Sequence, residues 1–366
     1  MFIHIGVPKS GTSFIQSTLR GNKRRLREHG VLYPSRRPSD MFHAALDVSG
    51  RHARWRETGK SVEGAWAALC RRALAFDGTT VISSEFFCGA RTPEIRRALR
   101  LLDGAEVHVI VTARDMARQI PAEWQEGIKH GRSLTFARFQ RRILDPARRH
   151  AHARRFWHYQ DLPQVLARWA AELSENRVHL VTCPPPGAPP TLLWERFCSV
   201  IGLDPTVVEL PSSGANTSLG VVEIEVLRNV NRSISRTENP LRYVPMVKPL
   251  LVQDVLRKHS SARAQTPPSL IPDLEDLAKQ WRTEIERHDY DVVGDLADLH
   301  PVTPAVPGVD PDQAPAEEAL KVSGDVITHL LTEIHRLRSE NDLLRRRVAP
   351  ASLTRLAAKA RRALRR

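Results

Sequence analysis

Cysteine is scarce in this chain of 366 residues, and long apolar runs are absent. The four cysteines, Cys70, Cys88, Cys183 and Cys198, form no Cys-x-x-Cys pair, which argues against both a disulfide framework and a zinc site. No stretch approaches the ~20 apolar residues that a membrane-spanning helix needs. No basic leader with a following apolar segment precedes the first predicted strand, so we expect no signal peptide and a cytoplasmic protein.

Lysine is rare as well, and the positive charge comes mainly from arginine. Only 9 of the 55 basic residues are Lys, and the formal net charge is +14. Such an excess indicates anionic partners, which include a phosphorylated cofactor, an acidic membrane surface and nucleic acid. The apolar fraction of 41%, with 10 Phe and 7 Trp, indicates a globular protein with a substantial core.

Short apolar segments alternate with helical patterns in the first half of the chain. The predicted strands, each rich in Val, Ile or Thr, are 2–6, 79–83, 106–112 and 177–182. The predicted helices are 12–28, 62–76, 92–103, 114–129, 161–175 and 190–201. This alternation predicts an α/β fold with a P-loop-like central parallel sheet flanked by helices, in which ligands bind beyond the carboxyl ends of the strands.

The rest of the chain divides into further segments. Residues 218–300 are mainly helical, and we expect the α/β domain to span 1–301. Residues 302–316 are rich in Pro and Ala and lack an apolar period, which is typical of a linker.

A heptad repeat occupies residues 317–349. Its a positions are Leu320, Ile327, Ile334, Asn341 and Val348, and its d positions include Leu330, Leu337 and Leu344. This seam predicts a parallel coiled-coil homodimer, with Asn341 setting register and strand number. An amphipathic helix packed on the domain is the alternative, and pairing with a different chain is also open.

The last segment, 350–366, is predicted to be a basic amphipathic tail. Residues 345–366 contain nine Lys or Arg and no acidic residue. A tail of this kind suits an anionic membrane surface, which predicts a peripheral position at the inner membrane face; a solvated tail is the alternative. We expect no nucleic-acid partner, because the arginines follow the heptads rather than precede them as in a basic zipper.

A glycine-containing loop joins the first predicted strand to the first predicted helix. In FIHIGVPKSGTSFIQSTL, Gly6 and Gly11 have Walker A spacing, but Thr12 takes the lysine position and Lys9 lies three residues earlier. The first amides of the helix would still face an anion, supported by the helix dipole. The hydroxyl donors would be Ser10, Thr12 and Ser13. The absence of GxGxxG argues against a nicotinamide enzyme.

The motif PKSGTS, directly after a first strand, resembles the 5′-phosphosulfate loop of sulfotransferases that use 3′-phosphoadenosine 5′-phosphosulfate (PAPS). In ARDMARQIPAEWQEGIKHG (113–131), Arg114 stands at a strand end, where that family carries the arginine that grips the 3′-phosphate. The segments 192–204, 216–231 and 289–301 also resemble bacterial, particularly actinobacterial, sulfotransferase-like proteins. The resemblance covers about 1–301 and implies PAPS as donor and no required metal. It implies a 5′ cradle of Pro8, Lys9, Ser10, Gly11, Thr12 and Ser13.

The chain departs from the sulfotransferase pattern at the residues expected to bind the 3′-phosphate. Many sulfotransferases pair the arginine with a serine eight residues later, but this chain has Ala122 there. Arg118 and Gln119 are the candidates to replace it. Asn216 and Ser218 lie where the family often closes a loop over the donor, and helix capping is their alternative role.

Sulfuryl transfer accounts for the displaced lysine. Negative charge builds on the bridging oxygen as the S–O bond breaks, and Lys9 is predicted to stabilise it. Glu85 is predicted to take the proton of the acceptor, with His43 as the second candidate base. The alternative role of Glu85 is to cap the next helix or to pair with an arginine. The alternative for His43 is that it is an ordinary, partly buried histidine. We expect a hydroxyl acceptor on a carbohydrate or glycolipid. A P-loop kinase with a displaced lysine and a catalytically idle scaffold are the alternative functions.

Overall fold

A six-stranded parallel sheet with the order β2-β3-β1-β4-β5-β6 forms the centre of the protein. The computed structural model describes residues 1–50, 61–211, 218–234, 243, 246–302 and 309–363, with side chains described as far as Arg346. The strands are β1 (Phe2–His4), β2 (Val31–Leu32), β3 (Thr79–Ser83), β4 (His108–Ala113), β5 (Val178–Thr182) and β6 (Asp291–Val293).

Helices connect the strands and flank the sheet. Before β4 they are α1 (Thr12–Gly21), α2 (Lys23–Glu28), α3 (Asp40–Val48), α4 (Ala65–Leu74) and α5 (Thr92–Leu99). After β4 they are α6 (Met116–Lys129), α7 (Phe136–Ile143), α8 (Ala151–Gln160), α9 (Leu162–Ala170), α10 (Leu192–Ile201), α11 (Val221–Ser233), α12 (Ile271–Ile285) and α13 (Ala316–Ala363). A 3₁₀ turn spans Glu85–Gly89 and a π-helix spans Lys248–Gln253.

The sheet is buried on both faces, as the continuous apolar strands predict. Val109, Ile110 and Val111 of β4 are fully buried, and so are Val178 and Leu180 of β5. A parallel sheet needs helices on both faces, because both sets of alternating side chains are apolar. The predicted α/β class is therefore confirmed.

The strand order creates a crevice at the carboxyl ends of β1 and β4. From β1 the chain continues to β2 at one edge of the sheet, whereas from β4 it continues to β5 on the other side. Ligands bind at such a switch point because the outgoing connections separate there. Pairing with β4 extends through Val7, whose N–H donates to the carbonyl of Thr112 at 2.9 Å. The crevice therefore opens after Val7.

The long helix α13 begins on the domain and then leaves it. Val322 and Val326 are buried against the core, and this part of α13 packs on α11. Leu320 and Ile327, two predicted a positions, are 74% and 58% exposed. The helix continues through Pro350, although the heptads predict an end before it; the Ala-rich sequence that follows favours helix. None of the helices among the described residues is long and apolar enough to cross a membrane.

Candidate functional site

The loop between β1 and α1 presents backbone N–H groups at the crevice. Gly11 is the N-cap of α1, and the Ser10 N–H closes a turn on the carbonyl of Val7 at 3.2 Å. By contrast, no hydrogen bond among the described residues uses the N–H of Lys9, Gly11, Thr12 or Ser13. Unused amides at a helix N-terminus are the usual way in which proteins bind phosphate-like anions.

Both glycines of the loop are required by close contacts. A Cβ at Gly6 would lie 2.3 Å from Thr112 Oγ1 and 2.4 Å from Thr12 Cγ2. A Cβ at Gly11 would lie 2.4 Å from Leu193 Cδ2, and its φ of +83° is in the left-handed region that favours glycine. The spacing of the two glycines therefore fixes the course of the loop.

Buried polar contacts attach the centre of the loop to the sheet. Ser10 is fully buried, and its hydroxyl lies 2.6 Å from the carbonyl of Val7 and 2.8 Å from Thr112 Oγ1. The thiol of Cys183 donates to the carbonyl of Ser10 at 3.1 Å. The predicted cradle residue Ser10 thus binds protein atoms, and its hydroxyl holds the loop in shape.

Two glutamines hold the backbone of Pro8, near the start of the loop. Gln119 Nε2 donates to the carbonyl of Pro8 at 2.7 Å, and Gln160 Nε2 donates to the same carbonyl at 3.1 Å. Gln119 is fully buried and also donates to Gln160 Oε1 at 3.0 Å. The structure therefore places Gln119, a predicted donor-binding residue, beneath the loop.

Lys9 is paired with a carboxylate on α6. Its Nζ lies 3.0 Å from Glu126 Oε2, with both side chains about one-third exposed or less. Burial opposes the charge of Glu126, but Lys9, Lys129 and His130 together lower its pKa to about 2. Sequence reasoning missed Glu126, although its spacing of seven from Gln119 puts both on one face of α6.

Arg114 and Arg118 follow the carboxyl end of β4, at Ala113. Arg114 donates from Nε to Gln119 Oε1 at 3.1 Å and from Nη2 to the carbonyl of Arg118 at 2.9 Å, and burial lowers its pKa. Arg118 pairs with buried Asp115 and donates from Nη1 to the carbonyl of Pro184 at 3.0 Å. Its Nη2 is buried and has no partner among the described residues, so this guanidinium retains a free donor.

The predicted bases lie on the 3₁₀ turn after β3 and on α3. Glu85 follows β3, and its Oε2 accepts from Gln16 Nε2 at 2.8 Å. His43 is on α3, which packs against the 3₁₀ turn of Glu85; the rings of Phe42 and Phe86 join the two elements with centroids 4.9 Å apart. The structure therefore brings Glu85 and His43 onto neighbouring elements.

The remaining predicted donor contacts lie before α11. Ser218 is exposed, whereas Asn216 lies outside the described residues. Gln125 on α6 donates to the carbonyl of Leu219 at 3.0 Å, so the chain at Ser218 is attached to the same helix that carries Glu126.

Glu123 is a further carboxylate near the loop that sequence reasoning missed. Burial raises its pKa and Glu126 adds to this, while Lys9, Arg132 and Arg155 act in the opposite direction. A partly buried carboxyl with a perturbed pKa and specific cationic neighbours, in a crevice, is typical of functional sites.

No family model matches the chain, and no curated protein matches it in sequence. Among solved structures it is similar to a sulfotransferase from Alicyclobacillus acidocaldarius, with 12% identity, a TM-score of 0.39 and coverage of 69% of this chain and 96% of that one. It is also similar to the sulfotransferase domain from the curacin biosynthetic pathway, with 11% identity, a TM-score of 0.32 and coverage of 69% and 97%. Both likenesses are too distant to carry weight, and the strand order of the chain itself establishes its fold.

Proposed function

We propose that the protein is a PAPS-dependent sulfotransferase that moves a sulfuryl group to a hydroxyl of a carbohydrate or glycolipid. The observation that carries this proposal is the loop after β1. Within the described parts of the chain, four backbone N–H groups of this loop and the start of α1 make no hydrogen bond, and an ammonium group stands before its second glycine, at the crevice between β1 and β4. Amides and helix dipole favour a phosphate-like anion at this point.

Lys9 is proposed to stabilise the leaving group. As the S–O bond breaks, charge develops on the bridging phosphate oxygen, and a cation already held in place stabilises that charge without reorganising. Glu126, 3.0 Å away, keeps the ammonium group beside the loop. Loss of one such contact costs ~10²–10³ in rate, by comparison with single oxyanion donors.

The residues present fit the two phosphorylated ends of the donor. The loop amides and Lys9 suit the 5′-phosphosulfate. Arg118, whose buried Nη2 has no partner among the residues that the structure describes, and the neighbouring Arg114 suit the 3′-phosphate. PAPS, when bound, supplies the activated sulfuryl group. We further propose that Glu85 accepts the acceptor proton, with His43 as the alternative, because Glu85 follows β3, the strand next to β1.

A catalytically idle scaffold is the second candidate function. It is favoured by one observation, which is that the three predicted donor-binding cations, Lys9, Arg114 and Arg118, already contact protein atoms. Lys9 pairs with Glu126, and Arg114 donates to Gln119 and to the carbonyl of Arg118. Donor binding must therefore compete with these contacts.

Ligand binding separates these functions. We expect adenosine 3′,5′-bisphosphate, the desulfated donor, to raise the melting temperature of the wild-type protein, because a ligand that binds only the folded state stabilises it. Lys9→Ala should reduce that shift, whereas Lys321→Ala, the same change on exposed α13, should not. Stabilisation by ATP with Mg²⁺ alone would favour a kinase, and no stabilisation by either would favour the scaffold.

Transfer of labelled sulfate tests the activity itself. Labelled PAPS is incubated with lipid and glycan extracts of the host, and labelled products are identified. Lys9→Ala should lower the rate by ~10²–10³. Equal labelling by wild type and variant would contradict the role of Lys9 and favour the scaffold.

The partners form a separate proposal. We propose that α13 pairs with a second copy, and that 350–366 contacts an anionic membrane surface, since each basic residue near such a surface contributes ~1 kcal/mol. Deleting 350–366 should weaken binding to phosphatidylglycerol vesicles without changing affinity for adenosine 3′,5′-bisphosphate. Unchanged vesicle binding would contradict the membrane contact.

A further inference from the structure

The peptide between Pro8 and Lys9 is held by two buried glutamines from two different helices. The carbonyl of Pro8 accepts from Gln119 Nε2 at 2.7 Å and from Gln160 Nε2 at 3.1 Å. Gln119 lies on α6, Gln160 is the last residue of α8, and both side chains are buried. Two donors fix the direction of this carbonyl more firmly than the single donor that a buried carbonyl needs.

The hydrogen bonds of the two amide groups all run in one direction, from Arg114 toward Pro8. Gln119 Oε1 accepts from Arg114 Nε at 3.1 Å, which leaves the Gln119 amino group to donate to Pro8 and, at 3.0 Å, to Gln160 Oε1. The amino group of Gln160 then faces Pro8. Because a guanidinium group can only donate and a carbonyl can only accept, neither amide can turn over without losing a hydrogen bond.

The direction of the Pro8 carbonyl determines the direction of the Lys9 N–H. The described residues contain no cis peptide bond, and the C=O and N–H of a trans peptide point to opposite sides. The Lys9 N–H therefore points away from both glutamines. Within the described chain no group accepts from it, so this N–H is available to an anion at the loop.

The orientation of this peptide also produces the strained backbone of Lys9, whose φ is 70°. A flip of the peptide would change that angle by about 180°, to about −110°, on the side that L-residues prefer. It would also turn the Lys9 N–H toward the glutamines and a carbonyl oxygen away from them. Since the left-handed conformation is disfavoured roughly 5- to 30-fold, the backbone of Lys9 alone favours the flipped state.

We propose that Gln119 and Gln160 are positioning residues, which hold the Pro8–Lys9 peptide so that the Lys9 N–H faces the 5′-phosphosulfate of the donor. This inference rests on the proposed function and adds Gln160, which acts through the peptide, to the residues that serve it. In the flipped state a carbonyl oxygen replaces the N–H and repels the anion. The affinity for the donor therefore falls with the fraction of the protein that is flipped.

Calorimetric titration of the full chain with adenosine 3′,5′-bisphosphate tests this role in two backgrounds. Lys9→Ala keeps the strain and Lys9→Gly removes it, while both lack the ammonium group. Gln160→Met removes the donor to Pro8 and nearly keeps the shape of the side chain. It should weaken binding several-fold in the Lys9→Ala background, within the roughly 5- to 30-fold limit set by the strain. In the Lys9→Gly background the loss should be at most about twofold, because glycine populates both signs of φ equally well.

Two further variants control this comparison. Gln164→Met is the same change on α9, where the side chain is exposed and donates to Asp161 Oδ2 at 2.9 Å, and it should leave the affinity unchanged. Gln119→Met removes the other donor to Pro8 and should show the same dependence on the background, which keeps the test open if Gln160→Met does not fold. Equal losses in the two backgrounds would mean that the glutamines only support packing, and would overturn the inference.

Urea unfolding of the same proteins separates this inference from the proposed function, because it needs no ligand. A flip relieves strain only where residue 9 is strained. Gln160→Met should therefore lower the urea midpoint less in the Lys9→Ala background than in the Lys9→Gly background. If adenosine 3′,5′-bisphosphate binds to none of the proteins, the proposed function fails, and this difference in midpoint still supports the held peptide. Equal changes of midpoint would contradict it.

Discussion

Lys9 adopts a backbone conformation that ordinary side chains avoid. Its φ is 70°, and among the described residues other than glycine only Arg148 also has a positive φ. A left-handed conformation costs an L-residue roughly 1–2 kcal/mol, and such strain concentrates where function requires it. A glycine would satisfy the backbone here, so the side chain of Lys9 is retained at a cost to stability.

Two substitutions at Lys9 separate backbone from side chain. Lys9→Gly should raise the free energy of unfolding by about 1 kcal/mol relative to Lys9→Ala, because glycine relieves the left-handed strain. Both should lose affinity for adenosine 3′,5′-bisphosphate. Urea unfolding measures the first quantity and calorimetric titration the second; an alanine variant as stable as the glycine variant would show that the backbone is unstrained.

His4 is a fully buried polar residue in the centre of the sheet. Its Nδ1 lies 2.8 Å from Ser83 Oγ and its Nε2 lies 3.1 Å from Thr112 Oγ1, on the two neighbouring strands. Burial lowers its pKa from 6.5 to about 3. The folded protein therefore keeps His4 neutral over a range in which the unfolded chain takes up a proton.

That difference predicts loss of stability in mild acid. Between pH 6.5 and about 3 the unfolded state binds the extra proton, so the free energy of unfolding falls as the pH falls, by up to ~1.4 kcal/mol per pH unit for this group. His4→Gln should reduce the slope of the unfolding free energy against pH by the contribution of one proton, which is at most ~1.4 kcal/mol per pH unit. Urea unfolding from pH 7 to 5 measures it, with the exposed His335 changed to Gln as the control; equal slopes would contradict the assignment.

Sequence spacing identifies the residues of the loop but not those that face it. Lys9 and Gly11 are recognisable because consecutive residues form the cradle. Glu123 and Glu126 come from α6, and their orientation depends on how that helix packs against the loop. A charged helix face in the sequence resembles any solvated surface, so these residues could not be chosen before the fold was known.

At the scale of single elements, α6 contains a proline that should weaken it. Pro121 has no N–H to donate to the carbonyl of Ala117, four residues earlier. The hydroxyl of buried Thr266 instead donates to that carbonyl at 2.7 Å. A residue from a distant segment thus completes the hydrogen bonding of the helix that carries Gln119 and Glu126.

Removing the hydroxyl of Thr266 should show how much the stability of the protein depends on this hydrogen bond. Thr266→Val should lower the free energy of unfolding by about 1–3 kcal/mol, because a buried carbonyl loses its donor. In a Pro121→Ala background the N–H of residue 121 can donate to the carbonyl of Ala117. Thr266→Val should then lower the free energy of unfolding by less. Urea unfolding of the four proteins gives the coupling between the two sites, and equal costs in both backgrounds would exclude it.

Element length decides which parts of the fold could be predicted. The strands β1, β3, β4 and β5 were recognisable because each lies in a segment of five to seven residues rich in Val, Ile or Thr, whereas Val31–Leu32 and Asp291–Val293 stand in stretches too short to show a period. Helix α8 has the sequence AHARRFWHYQ, in which arginine and histidine obscure the buried face of Phe156 and Trp157. Tertiary packing, rather than local pattern, fixes such elements.

At the scale of the whole molecule, α13 has two different apolar faces. Val322 and Val326 pack on the domain, whereas Leu320 and Ile327, about 100–160° around the helix, are exposed. Beyond the domain the same seam continues with Ile334 and further leucines. Leu330, a predicted d position, is partly buried against the domain core. The heptad interpretation and its alternative therefore each describe part of the helix, and the exposed positions of the seam are available for a second chain.

The last prediction concerns the oligomeric state, and it depends on the exposed a and d positions of α13. Ile334 and Leu337, at a and d positions, are 44% and 50% exposed in the single chain, and burying the exposed half of such a side chain contributes on the order of 1 kcal/mol each. The wild-type protein should therefore sediment as two chains, and Ile334→Lys with Leu337→Lys should convert it to one. Thr332→Lys, outside the seam, should remain dimeric. A monomeric wild type, or equal dissociation by Thr332→Lys, would mean that the seam does not pair two copies.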